Sequence, residues 1–350
     1  MMTRRLSKRR VILTVLITLA VIGALGLTLH LIEGQFVSDD QFGDTGDWGK
    51  EGTENHFLTI GENDYFYTDN LSTYLLIGTD KSSELAKDDN NKGNDGDLAD
   101  FLVLAVVNRS QEKYGFIQLD RNTITDVTVL SPEGEEKGSY PEQICTAHWY
   151  GRDEAQRNQN TVNSVSYMLG GLPIDGYYKL NMEDIGDVNH AVGGVVVEID
   201  TDMTSLDPEF IEGASVLLTD EQAEKFVRAR MSVGDGTNAA RMKRQREYMQ
   251  KVYNLTMSQI RENPDYIQEL YDELNSKIDS ELSGSEVSVI ANQLTKFEGQ
   301  GILTIGGEVK TGDTLGDGVE HEEFYMSESS AVKTLGRVMN IASTDELGEE

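Results

Sequence analysis

Four short apolar runs organise the middle of this chain: Tyr74-Leu-Leu-Ile77, closed by Gly78; Phe101-Leu-Val-Leu-Ala-Val-Val107; Gly115-Phe-Ile-Gln-Leu119; and Val195-Val-Val-Glu-Ile199. Runs this short, rich in β-branched residues and bounded by turn formers, predict buried strands. Between and after them the spacing turns helical. Residues 161–169 place apolar side chains at Val162, Val165, Tyr167, Met168 and Leu169, then stop at Gly170-Gly171, a helix followed by its glycine terminator. Residues 182–192 read as another helix. Thr219-Asp-Glu-Gln222 has the form of a capping box and opens a helix that carries Arg228 and Arg230. A longer helix over 238–261 ends at Asn263-Pro264. Beyond it, helices are expected over 265–279 and 284–296, and strands at 301–305 and 323–326.

Strands interleaved with helices predict an α/β fold, a layered α/β/α domain with a central mixed sheet over residues 71–262. Residues 263–350 read as a mainly helical C-terminal extension. Two polar stretches, 81–97 and 131–160, interrupt the domain as irregular insertions. Residues 11–32 are uncharged and apolar, long enough to cross a bilayer core of about 20 residues as one transmembrane helix. Arg4, Arg5, Lys8, Arg9 and Arg10 precede it and Glu33 follows. The positive-inside rule then makes residues 1–10 a cytoplasmic flank and places the main domain outside the cell membrane. A cleavable signal peptide is the competing reading, and its apolar region is normally shorter. Residues 33–70, rich in Gly, Asp and Glu, read as an extracytoplasmic linker.

Charge narrows the functions available. The chain has 61 acidic and 30 basic residues, a net charge of −31, which disfavours nucleic acid as a partner. One cysteine, Cys145, forms no internal disulfide, and five histidines without metal-ligand spacing form no zinc pattern.

Against this acidic background Arg228, Arg230, Arg241, Arg244 and Arg246 crowd together. Guanidinium groups hold two oxygens at once, so the cluster suits phosphate or pyrophosphate; an exposed helix face pairing with carboxylates is the alternative. Asp80 ends one predicted strand and Asp100 opens the next. Two such carboxylates suit Mg2+, which takes one or two of them plus phosphate oxygens. They equally suit strand-end turns. Arg121, just after the third strand, either reaches a crevice at the sheet end or pairs with Asp120 or Asp126.

The order of these pieces resembles the LytR-CpsA-Psr proteins of bacterial cell envelopes. That family's pattern runs through a strand ending in Gly-x-Asp, a Ser-Asp-Thr strand start, Pro-Arg-Asp-Thr, Gly-Gly-Val, Arg-x-Arg and Asp-x-x-Arg-x-x-Arg-Gln. The corresponding stretches here are Gly78-Thr-Asp80, Ala99-Asp-Phe101, Asp120-Arg-Asn-Thr123, Gly193-Gly-Val195, Arg228-Ala-Arg230 and Asn238-Ala-Ala-Arg241-Met-Lys-Arg244-Gln245. The resemblance implies a phosphotransferase. It would move a glycosyl-phosphate polymer, a teichoic acid or capsule, from undecaprenyl pyrophosphate to peptidoglycan. By that analogy Asp80 and Asp100 hold Mg2+, while Arg121, Arg228, Arg230, Arg241 and Arg244 surround the pyrophosphate and Gln245 orients them. A binding protein for polyprenyl-linked glycan, or a hydrolase, would keep the same arginines. The departures are Leu98, Ala99 and Phe101 around Asp100, Asn122 after Arg121, and Asn238 where the pattern has an acid. An amide takes up no proton at neutral pH, so Asp235 is the acid left to cover that role.

Overall fold

A computed structural model describes residues 56–80, 97–230, 233–263, 265–280 and 282–344. The predicted membrane segment 11–32, the flank before it and most of the insertion 81–97 lie outside the described residues. Among those described, no helix is long and apolar enough to cross a membrane.

The chain begins with β1 (His56–Ile60), β2 (Asn63–Tyr67), β3 (Leu71–Asp80), β4 (Leu98–Asn108), β5 (Lys113–Leu119), β6 (Ile124–Leu130) and β7 (Glu136–Gln143). A 3-10 turn at Ile144–Trp149 leads to α1 (Glu154–Met168), β8 (Gly176–Asn181), α2 (Ile185–Ala191), β9 (Val196–Glu198) and β10 (Ser215–Leu217). Then come α3 (Asp220–Arg228), α4 (Asn238–Glu262), α5 (Tyr266–Leu274), β11 (Ile278–Ser280) and α6 (Gly284–Leu294). The last elements are β12 (Glu298–Thr304), β13 (Gly307–Gly312), β14 (His321–Met326), α7 (Glu328–Leu335) and β15 (Ala342–Ser343). The central sheet has the order β11-β8-β3-β4-β5-β12. It is mixed: β4 and β5 pair antiparallel, β12 and β5 parallel. The expected α/β class with a central mixed sheet is what forms.

Among the described residues two compact units separate, one holding 78–80 and 178–296, the other 56–77, 97–177 and 297–344. The second is strand-rich. Its β4 is buried almost throughout, and this is why Phe101 to Val107 reads as a continuous apolar run rather than an alternating one. One core gathers Leu102, Leu104 and Val106 of β4, Ile117 and Leu119 of β5, and Val162 and Val165 of α1. It also takes in Leu303, Leu335 and Val338 from the end of the chain.

That last fact corrects the expected C-terminal extension. Residues 298–304 form a strand of the central sheet, and 297–344 contribute four strands and one helix. The cause is packing: a Cβ at Gly115 of β5 would lie 2.5 Å from a Val338 methyl, so glycine there lets the chain end seat against the sheet. The linker is corrected as well. From His56 onward it is folded, β1 pairing with β2 and β2 with β15, and Leu58 and Ile60 entering the core. The stretch 131–160 is not irregular either. It forms β7, which pairs with β6, the 3-10 turn and the start of α1.

In the other unit, β9 and β10 form their own antiparallel pair. After α2 the chain reverses through Gly193 and Gly194, at φ 81° and 90°. Their N–H groups donate to the carbonyls of His190 (3.0 Å) and Asn189 (2.9 Å). Only glycine takes this conformation without strain, so the Gly-Gly pair ends a helix here. The capping box on α3 is present: the Gln222 N–H donates to Thr219 Oγ1 (3.2 Å) and the Thr219 N–H to Gln222 Oε1 (3.0 Å). α4 stops at Asn263, immediately before proline.

Candidate functional site

Two arginine–aspartate clusters sit at the positions the sequence marks. In the unit that holds α3, the helix delivers Arg228 from its last turn. The Arg228 guanidinium donates through Nη2 to both carboxylate oxygens of Asp80, at 2.7 and 2.8 Å. Its Nη1 donates to Glu224, one helical turn back. Burial works against the charge on Arg228, but Glu224 and Asp80 outweigh it and hold the guanidinium more firmly protonated than usual. The pair is only partly sheltered, with 28% of the Arg228 side chain and 20% of Asp80 exposed. An anion from solvent can therefore compete for it. Sequence reasoning missed Glu224, although its spacing from Arg228 is the helical i, i+4 interval.

The remaining arginines of this unit divide by burial. Arg230 follows α3 and is half-buried. Arg241 is buried in α4 and donates from Nη2 to Asn238 Oδ1 at 2.7 Å. Arg244 and Gln245 are buried too. Arg244 donates from Nε to the Phe226 carbonyl (3.2 Å) and from Nη2 to the Ala229 carbonyl. Gln245 Nε2 donates to the Val227 carbonyl at 3.4 Å. These acceptors are carbonyls of the last turn of α3 and of the Ala229 cap that follows it, groups the helix itself leaves unsatisfied. Arg244 also sets a cation against the negative end of the helix dipole. The two side chains thus hold the stem that presents Arg228.

Asn238 is fully buried at the start of α4, and the first turn of that helix carries no acid. Asp235, the acid expected to cover that role, is exposed three residues before Asn238. Asp235 Oδ1 accepts the Thr237 N–H (3.0 Å) and the Thr237 hydroxyl (2.8 Å), and these donors hold its pKa below the ordinary carboxylate value. Lower proton affinity makes a weaker base. A depressed carboxylate pKa contributes stability above the unfolded value, and that contribution is lost as pH falls through the folded value. Asp235→Asn is therefore expected to melt below the parent at neutral pH, with the gap closing as the pH falls through the acid range in which this carboxylate takes up its proton. Thermal melts across that range check it; a gap unchanged on acidification contradicts it.

In the strand-rich unit, Arg121 pairs with Asp100, and their side chains are 11% and 12% exposed. Burial opposes the Arg121 charge, while neighbouring Cys145, Asp100 and Asp120 raise its pKa well above the usual value. Its Nε is buried with no hydrogen-bond partner, so the guanidinium keeps donor capacity beyond Asp100. Among the described residues, no group of three or more His, Cys, Asp or Glu side chains is placed to hold a metal. Asp80 and Asp100 are hard oxygen donors of the kind Mg2+ takes in ones and twos, completing its shell with phosphate and water. Chemically, the residues offer cations for phosphate oxygens and carboxylates that now neutralise those cations.

A family model described as the LytR_cpsA_psr family matches residues 50–337. The polyisoprenyl-teichoic acid–peptidoglycan teichoic acid transferase TagU of Bacillus mycoides (strain KBAB4) is 30% identical over 178 residues, 51% of this chain and 50% of that protein. The chain thus spans about half the length of the curated relatives it matches. Among solved structures, Bacillus subtilis TagV is 19% identical with a TM-score of 0.55, over 76% of this chain and 94% of that one. A structure of TagT bound to LI-WTA is 18% identical with a TM-score of 0.53, over 76% and 87% of the two chains. These two structures share the fold.

Proposed function

Since the chain belongs to the LytR_cpsA_psr family, we propose that it is a phosphotransferase that moves a glycosyl-phosphate polymer from an undecaprenyl-pyrophosphate carrier to peptidoglycan. The observation that carries this reading is the pairing of motif residues far apart in sequence: Arg228 with Asp80, across 148 positions, and Arg121 with Asp100. Each pair puts a guanidinium beside a carboxylate, the two group types that a metal-neutralised pyrophosphate needs.

The chemistry asks little covalent help of the protein. A hydroxyl oxygen of the acceptor sugar bonds to the phosphorus that carries the glycan. The bond from that phosphorus to the bridging oxygen breaks, and undecaprenyl phosphate leaves with the electron pair. The hydroxyl proton passes to water or to the departing phosphate. What the site must supply is positioning and charge neutralisation on the phosphate oxygens. Arg121, Arg228, Arg230 and Arg241 are assigned to those oxygens. Arg244 and Gln245 act one step back, through the end of α3. Asp80 and Asp100 would hold Mg2+, which supplies a further positive charge when bound. A lipid-borne donor suits a chain tethered by residues 11–32, with its main domain outside the cell.

The full chain in detergent should bind a short polyprenyl pyrophosphate, and removing divalent cations should weaken that binding at least about tenfold, the order of one lost charge-assisted contact. Binding measured with and without chelator tests this. Equal affinity for the corresponding polyprenyl alcohol would contradict it. One observation favours a second reading, a protein that holds the lipid-linked glycan without turnover: the acid expected at the start of α4 is replaced by the buried amide of Asn238, which cannot accept a proton.

A further inference from the structure

The turn that carries Arg121 is gripped by the end of the chain. Within the turn, the Thr123 N–H donates to the Asp120 carbonyl (3.0 Å) and the Asn122 N–H to Asp120 Oδ1 (2.9 Å). On one side the N–H groups of Ile144 and Cys145 donate to the carbonyls of Thr123 (2.8 Å) and Arg121 (3.1 Å). On the other side lies β14. The Phe324 N–H donates to the Asn122 carbonyl (2.9 Å), and Phe324 bridges Thr123 in parallel.

The side chains complete this grip. Asn122 is 1% exposed, and its Nδ2 donates to Glu322 Oε1 at 2.9 Å. Gln143 Nε2 donates to the Glu322 carbonyl (2.8 Å) and to Asn122 Oδ1 (3.4 Å). A carboxylate only accepts, so the amide nitrogen of Asn122 must face Glu322. An aspartate at the buried position 122 would set its carboxylate against that of the half-buried Glu322, and like charges repel more strongly where water is partly shut out.

We infer that Glu322 is a positioning residue: by holding Asn122 it fixes the turn and so the place of Arg121, and the same contact makes Asn rather than Asp the fitting residue at 122. This rests on the reading above that Arg121 meets the pyrophosphate. The strand that supplies Glu322 therefore belongs to the functional apparatus.

The test uses the full chain in detergent and a short polyprenyl pyrophosphate, with binding and melting temperature measured for Arg121→Ala, Asn122→Asp, Glu322→Gln and the double variant Asn122→Asp/Glu322→Gln. Asn122→Asp should weaken binding about tenfold, the order of one displaced charge-assisted hydrogen bond. Adding Glu322→Gln should restore binding to within about threefold of the parent, because an amide then faces the new carboxylate. Glu322→Gln alone should cost little, since two amides can still pair. A folded Asn122→Asp variant that binds like the parent overturns the inference. So does a double variant that binds no better than the single one. Should Asn122→Asp fail to fold, the double variant is expected to recover both folding and binding, and failure to recover is equally contrary. The Arg121→Ala arm separates the two levels: parental binding there removes Arg121 from the site, whereas weakened binding without rescue removes only Glu322.

Discussion

Arg228→Ala is expected to weaken capture of a polyprenyl pyrophosphate by roughly a hundredfold, the upper range for losing charge-assisted hydrogen bonds from one guanidinium. The geometry sets the size. Arg228 reaches both oxygens of Asp80 and also Glu224, so its removal takes away a cation and leaves two carboxylates facing an anionic ligand. Stability should change little, because the pair is partly exposed and exposed pairs contribute about 1 kcal/mol or less. Arg246→Ala provides the contrast. It lies on the same stretch, yet its half-buried guanidinium has its pKa lowered by burial and is assigned no phosphate. It should shift affinity by no more than about threefold, a shift of well under 1 kcal/mol. Titration of both variants decides the matter, and equal losses would count against the assignment.

Arg244→Ala should fail in a different way, by unfolding more readily. Its buried side chain satisfies the carbonyls of Phe226 and Ala229. Truncation leaves buried acceptors without donors and a space where the side chain was. Two buried carbonyls left unpaired, at about 1–3 kcal/mol each, put the expected cost at about 2–6 kcal/mol. For a domain of this size each kcal/mol lowers the melting temperature by about 2–4 °C, so a drop of roughly 10 °C should be seen. Ligand binding should fall with it, because the end of α3 loses its anchor. Arg244→Lys should be intermediate, since one ammonium is a poor replacement for a planar fork that meets two carbonyls. Lost binding with a parental melting temperature would instead make Arg244 a direct phosphate contact.

Individual site residues were readable from sequence more easily than their partners. Asp80 and Arg228 each stand out, one at a strand end and one in an arginine cluster, but their pairing crosses 148 positions and no local pattern carries it. Arg241 and Arg244 look alike on paper. Burial separates them from Arg228 and directs Arg244 to main-chain carbonyls, which depends on how α4 packs. Asn122 appeared only as a departure from a family pattern, because Glu322, the residue that explains it, is 200 positions away.

The fold divides in the same manner. β3, β4 and β5 were evident because they are buried on both faces and read as apolar runs. β8 was missed because the buried Lys179 and the half-buried Asn181 interrupt its apolar run; the Lys179 ammonium donates to Asn181 Oδ1 at 2.7 Å and Thr79 donates to the same oxygen at 3.0 Å. Polar groups that satisfy one another inside a sheet erase the hydrophobic signal. β7 was missed for the opposite reason: it is largely exposed and contains Gly138 and Pro141, so its composition is that of a loop. The apolar residues of β12 announced a strand, but its parallel pairing with β5 depends on long-range packing.

The most direct measurement is transfer by the full chain from a polyprenyl-pyrophosphate-linked saccharide to peptidoglycan fragments, with and without Mg2+, with the linkage in the product identified by mass spectrometry. A metal-dependent product joined through a phosphodiester is expected. Tight binding of the donor with no product across several acceptors, or release of free glycosyl phosphate, would contradict it.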